Sequence, residues 1–122
     1  MLSNILLGAL AVVLGALGSH FSPENIGSGD IDKFEVAQRY HMFHVLVVLI
    51  EAAMIGNGVR DFFLKISMAF IMLGILFFCG SLYANFFFQF DYLKFLTPIG
   101  GCFFVIGWTT FFLAFATREK IV

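Results

Sequence analysis

Four long apolar runs joined by short polar links account for almost the whole chain. The first runs from about Leu2 to Gly18 and meets no charged side chain until Glu24. The second covers about Tyr40 to Ile55 and stops at Gly56-Asn57-Gly58, a turn-forming tripeptide. The third is about Ile66 to Phe88, uncharged until Asp91. The fourth is about Ile99 to Thr117, opened by Pro98, whose missing N–H costs nothing in the first turn of a helix. The first run is just long enough to cross a hydrocarbon layer roughly 30 Å thick. Backbone groups in lipid have to be satisfied internally, which leaves helices or a closed barrel. These runs are too long, too uniformly apolar and too few for barrel strands. The expected fold is all-α integral membrane: an up-down bundle of four transmembrane helices, with spans at about 2–18, 40–55, 66–88 and 99–117 in one domain.

Small residues recur at helical spacing within three of the runs. They are Asn4, Gly8, Ala11, Gly15 and Gly18 in the first, Ser67, Gly74 and Ser81 in the third, and Gly100, Gly107, Thr110 and Ala114 in the fourth. Such stripes let neighbouring helices approach closely. Gly8, Gly15, Gly18, Gly74, Ser81, Gly100 and Gly107 are therefore expected on packing faces. Ile5, Leu6, Val13 and Leu14 are expected toward lipid.

His20 to Arg39 is the only long polar stretch. Pro23 and Gly27-Ser28-Gly29 read as loop, with Asp30 or Asp32 capping a short helix that leads into the second span. Asp91 to Thr97 reads as a turn, with Thr97 capping the fourth helix; an anion held at that helix start is the alternative. The first run competes with a cleavable signal peptide ending near Ala16-Leu17-Gly18. No Lys or Arg precedes its apolar core, so a retained helix is expected.

Composition agrees with the pattern. Hydrophobic residues make up 61% of the 122-residue chain, charged residues only 12%, and mean hydropathy is +0.98. A soluble domain carries about 25% charged residues. The lipid bilayer is the expected surrounding, and a net charge of -1 excludes nucleic acid, which needs a basic face. The 18 phenylalanines fall mostly inside the apolar runs, where they read as lipid contact and inter-helix packing. Cys79 and Cys102 lie in apolar stretches without metal or redox spacing and read as small hydrophobes. Four spans put both termini on one side, with Arg60, Lys65, Arg118 and Lys120. Lys33, Arg39 and Lys94 lie opposite, so both termini are expected in the cytoplasm.

The candidate chemistry gathers at the second run. Tyr40, His44 and Glu51 share one helix face, and His41 precedes His44 by three. An intramembrane carboxylate is costly unless paired, hydrated or protonated. A proton or cation path with His44 near the mouth and Glu51 deeper is one reading. The other is structural, with Glu51 hydrogen-bonded to Ser81, Thr110 or the Asn57 end. His20 closes the first run on the side where the second opens, so His20, Tyr40, His41 and His44 are expected at similar depth. With Glu24 or Glu35 they would suit a metal ion, and His20 with His44 a haem, although a polar cluster tying two helix ends is the simpler expectation. In that case Arg39 and Tyr40 would anchor at the headgroups. Trp108 falls mid-span, so its N–H requires a partner inside the bundle. No hydrolase or transferase triad is visible.

Five pieces occur in order from the first run to the last: Gly15-Ala16-Leu17-Gly18-Ser19-His20, Tyr40-His41-Met42-Phe43-His44, Phe78-Cys79-Gly80-Ser81-Leu82-Tyr83, Thr97-Pro98-Ile99-Gly100-Gly101 and Gly107-Trp108. In register they resemble the small four-helix membrane proteins of the YgdD/YwdK type, the domain-of-unknown-function 423 family, itself similar to human transmembrane protein 256. The resemblance covers nearly the whole chain. It implies an integral membrane protein with four spans and brings no established activity. Glu51 has no counterpart in the family pattern, so any role for it would be particular to this chain.

The leading functional expectation is a non-enzymatic accessory or structural subunit of an inner-membrane assembly, without cofactor or metal. Its partners would be the bilayer and either further copies of itself or another membrane protein. The alternatives are a small proton, cation or solute transporter using the His44–Glu51 face, and a metal- or haem-dependent membrane enzyme.

Overall fold

The computed structural model describes residues 2–20 and 28–119, and these are helical with short links and no strand among them. Helix α1 is Leu2–Ser19 and α2 is Ser28–Gly56. Helix α3, Phe62–Gly74, continues through a five-residue π-helical turn, Ile75–Cys79, into α4, Gly80–Phe88. A short 3₁₀ turn, Asp91–Phe95, leads into α5, Leu96–Glu119. The result is four helical rods, as the apolar runs imply. Three are long and apolar enough to cross a membrane, and Leu2–Gly18 is a shorter apolar helix.

Local chemistry explains where the rods begin and end. Asp61 caps α3 by accepting the Leu64 N–H at 3.0 Å, so that rod starts four residues before the apolar run at Ile66. Gly58, at φ +88°, makes the preceding turn. Gln89 ends α4 in the left-handed region, its N–H bonded to the Asn85 carbonyl. Two expectations are corrected. The short helix expected to lead into the second span begins at Ser28 instead of at an Asp30 or Asp32 cap and runs unbroken into that span, because Ile31, Phe34, Ala37 and His41 repeat at spacings of three and four beneath the charged residues. Asp30 therefore lies inside α2 and pairs with Lys33 at 3.7 Å. Thr97 is not a cap but lies within α5, where its hydroxyl meets Ser81 Oγ at 2.6 Å. Pro23, Glu24 and Lys120 lie outside the described residues.

The core sits where α2 meets the α3–α4 rod and α5. Val45, Val48, Ile71, Ile75, Cys79 and Phe104 are buried there. The small residues set the spacing. A Cβ on Gly100 would fall 2.2 Å from the Phe78 backbone nitrogen, and one on Gly107 would fall 2.5 Å from the Ile71 side chain. On α1, Gly8, Gly15 and Gly18 face Val45, Gln38 and Phe34, which makes α1 and α2 antiparallel. Among the described residues, the α1 backbone approaches α2 alone closely. Ile5, Leu6 and Val13 are exposed on its outer face, whereas Leu14 packs partly against the core. At the opposite edge of the bundle, Arg118 Nε reaches Asp61 Oδ2 at 3.5 Å, tying the end of α5 to the start of α3.

Candidate functional site

The early start of α2 moves its histidines well inside the bundle. Phe34 is level with Gly18 near the end of α1. At 1.5 Å per residue, His41 lies about 10 Å further in and His44 about 15 Å. Glu51 lies beyond both, five residues before the far end of α2. Glu51 lies about 10 Å beyond His44 along the α2 axis. Tyr40 is half-exposed and stacks on His44, with ring centres 5.6 Å apart. His20 is exposed at the end of α1, roughly 13 Å along the axis from His41. The three histidines expected at one depth are not brought together. Among the described residues, no three His, Cys, Asp or Glu side chains are placed to share a metal ion.

The polar side chains of α2 instead take part in three separate ties between helices. In the first, Gln38 Nε2 donates to the Ala11 carbonyl of α1 at 2.6 Å, and Tyr83 of α4 donates to Gln38 Oε1 at 3.0 Å. His41 Nδ1 lies 3.2 Å from the same Tyr83 oxygen. His41 is 2% exposed, and its ring is also hydrogen-bonded to the Leu7 backbone of α1. In the second tie, Trp108 of α5 donates from Nε1 to His44 Nε2 at 3.1 Å, while His44 Nδ1 donates to the Tyr40 carbonyl at 2.8 Å. The Phe104 ring stacks on His44 at 3.9 Å between centres. This is the interior partner that the position of Trp108 requires.

The third tie joins α2, α3 and α5. Glu51 is fully buried, and its Oε1 is hydrogen-bonded to Ser67 Oγ. Ser67 Oγ also lies 2.8 Å from the Gly107 carbonyl. A hydroxyl has one proton, and the Gly107 carbonyl can only accept. The count closes when Ser67 donates to Gly107 and Glu51 supplies the second proton as a carboxylic acid. Ser81 and Thr110, expected as Glu51 partners, are engaged elsewhere: Ser81 with Thr97 and the Phe78 carbonyl, Thr110 with the carbonyls of its own helix. Glu51 Oε2 is buried without a partner among the described residues. Cys79 is buried, Cys102 is exposed, and both are free thiols.

Sequence reasoning missed Gln38, Tyr83 and Ser67 as partners. Gln38 and His41 are three apart on the buried face of α2, a usable signal for one shared neighbour. Ser67 was visible only as one member of a packing stripe.

Residues 14–101 match the model of a family described as protein of unknown function DUF423. The chain belongs to this family. A UPF0382 membrane protein of Haemophilus influenzae is 36% identical over 104 residues, covering 84% of this chain and 82% of its own. One of Staphylococcus aureus is 37% identical over 114 residues, covering 90% and 92%. The UPF0382 inner membrane protein YgdD of Escherichia coli K12 is 32% identical over 101 residues, covering 83% and 76%. No solved structure matches the chain. Helices and relatives together make this a multi-pass inner-membrane protein of a family without assigned function.

Proposed function

We propose that the protein is a non-enzymatic structural or accessory component of the inner membrane, working in contact with another membrane protein or further copies of itself. One observation carries the non-enzymatic reading. Gln38 with Tyr83, His44 with Trp108, and Glu51 with Ser67 each form a bond between helices, so the polar groups are spent on holding the bundle together. The glycine stripes support no external partner, since they are filled by α2 on one side and by the α3–α5 contact on the other. The outward ridge Leu6, Leu10, Val13 and Leu17 of α1 supports one, being exposed, apolar and spaced as a helix-packing face.

Gentle extraction into lipid nanodiscs, followed by native mass spectrometry, tests this. The expected result is a species heavier than one chain plus lipid. A lone monomer under these conditions would overturn the accessory reading. A second reading, proton or cation transport, is favoured by the partnerless Oε2 of Glu51. Flux into proteoliposomes that disappears in Glu51→Gln would put transport first, and absence of flux leaves the structural reading in place.

A further inference from the structure

Along α2, Ile31, Glu35, Gln38 and Met42 recur at spacings of four, three and four, so they share one helix face. That face and the end of α1 border a groove of about 400 Å³. Gly15 and Gly18 form its α1 wall, and Ile31, Phe34 and Met42 make the α2 side largely apolar. Glu35 and Arg39 line the same groove, and both are exposed. Gln38 lies between them but is committed, through its amide nitrogen to the Ala11 carbonyl and through its oxygen to Tyr83.

We propose that this groove holds the headgroup of a phospholipid that carries a primary ammonium, phosphatidylethanolamine, with the phosphate on Arg39 and the ammonium on Glu35. Three observations converge. First, Glu35 and Arg39 stand four residues apart, within reach of each other, yet they form no ion pair, and among the described residues neither has another partner. An exposed pair of this kind is worth little, so a ligand that takes both charges gives up almost nothing. Second, the order of the two charges is that of the lipid. Arg39 is the last charged residue before the apolar run that opens at Tyr40, and its long stem lets the guanidinium rise to the phosphate layer. Glu35 lies one turn, about 6 Å, closer to the polar start of α2. In the lipid the phosphate adjoins the chains and the ammonium stands further out, two methylene groups away. Third, Met42 continues the groove inward from Arg39 as an apolar wall, where an acyl chain would run.

The same two charges set the class of headgroup. A phosphatidylglycerol head would satisfy Arg39 but bring no cation to the Glu35 carboxylate. A choline head carries the cation but has no N–H to donate. An ethanolamine head supplies both the charge and three N–H donors, while its phosphate accepts from the guanidinium fork.

The test is native mass spectrometry of the full chain in detergent, titrated with phosphatidylethanolamine, phosphatidylcholine and phosphatidylglycerol of matched acyl chains. The ethanolamine lipid is expected to bind about tenfold more tightly than the choline lipid, the worth of one hydrogen bond to a charged group. The N-methyl and N,N-dimethyl ethanolamine lipids, which lose N–H donors one at a time, should fall between them in order. Glu35→Ala should bring the ethanolamine lipid down to the choline lipid and strengthen phosphatidylglycerol binding. Arg39→Gln should weaken all three. Both side chains are exposed, so the variants should keep wild-type Trp108 emission; if either does not fold, the methylated series on wild-type protein carries the test. Equal binding of the ethanolamine and choline lipids, as unspecific contact with acyl chains would give, overturns the proposal. So does a preference for phosphatidylglycerol, as attraction to Arg39 alone would give, or an ethanolamine preference that survives Glu35→Ala. The proposal does not depend on the accessory reading.

Discussion

Ser67 is a small side chain on which three helices depend. It receives the Glu51 carboxyl and passes a hydrogen bond to Gly107. Ser67→Ala leaves that carboxyl buried without any partner, which costs about 1–3 kcal/mol. Thermal unfolding in detergent should show a marked loss. Glu51→Gln keeps a donor for Ser67 Oγ and should unfold close to wild type, whereas Glu51→Ala should fall well below both. An equal drop for Gln and Ala would show that hydrogen bonding to Ser67 is not what holds Glu51. His44→Leu removes the acceptor for the single tryptophan. A change in Trp108 emission and a loss of about 1 kcal/mol are expected, both readable in one fluorescence melt. Glu51, His41 and His44 could be singled out in the sequence because polar groups are rare in apolar runs. Their partners could not, because contact between residues 16, 42 and 64 positions apart depends on which helix faces which.

Among the elements, α3–α4 and α5 make the tightest contact. Gly100→Ala places a methyl group against Phe78 backbone, which cannot swing aside as a side chain can. The rods would have to separate, and overpacking of this kind costs about 1–3 kcal/mol. Gly80→Ala, facing open space, should be nearly silent and even gain slightly in helix propensity. Unfolding curves for the pair check the contrast, and equal effects would mean that close approach does not control this interface. Asp61→Ala should cost about 1 kcal/mol through loss of the α3 cap. The small-residue periodicity was readable in sequence as a packing signal. That α1 spends its stripe on α2, while α3 and α5 spend theirs on each other, was not readable. A stripe states how close a neighbour can come without stating which neighbour comes.

At the scale of the whole molecule, the bundle is uneven. The α2, α3–α4 and α5 rods share the buried core, while α1 is held through α2 and the Gln38 bond. Elements with few buried partners open at lower free energy. Hydrogen exchange in micelles should therefore exchange the outer amides of α1 before those around Ile71 and Phe104. Uniform protection across all rods would contradict the asymmetry. The same asymmetry leaves Leu6, Leu10, Val13 and Leu17 exposed on the outer face of α1.

The membrane environment, the four helical rods and the family were determined by the sequence alone. Long uncharged apolar runs have one stable arrangement in lipid, since their backbone must hydrogen-bond within itself. The short helix before the second span was legible from its capping residues, whereas its buried face, Ile31, Phe34, Ala37 and His41, was obscured by the charged residues between them. Tertiary structure alone decided that His20 stands apart from His41 and His44, that Glu51 belongs to Ser67, and that His41 meets Tyr83. Those outcomes depend on the rotation and depth of each helix against its neighbours. Side-chain packing between rods sets both, and residues far apart in the chain supply that packing.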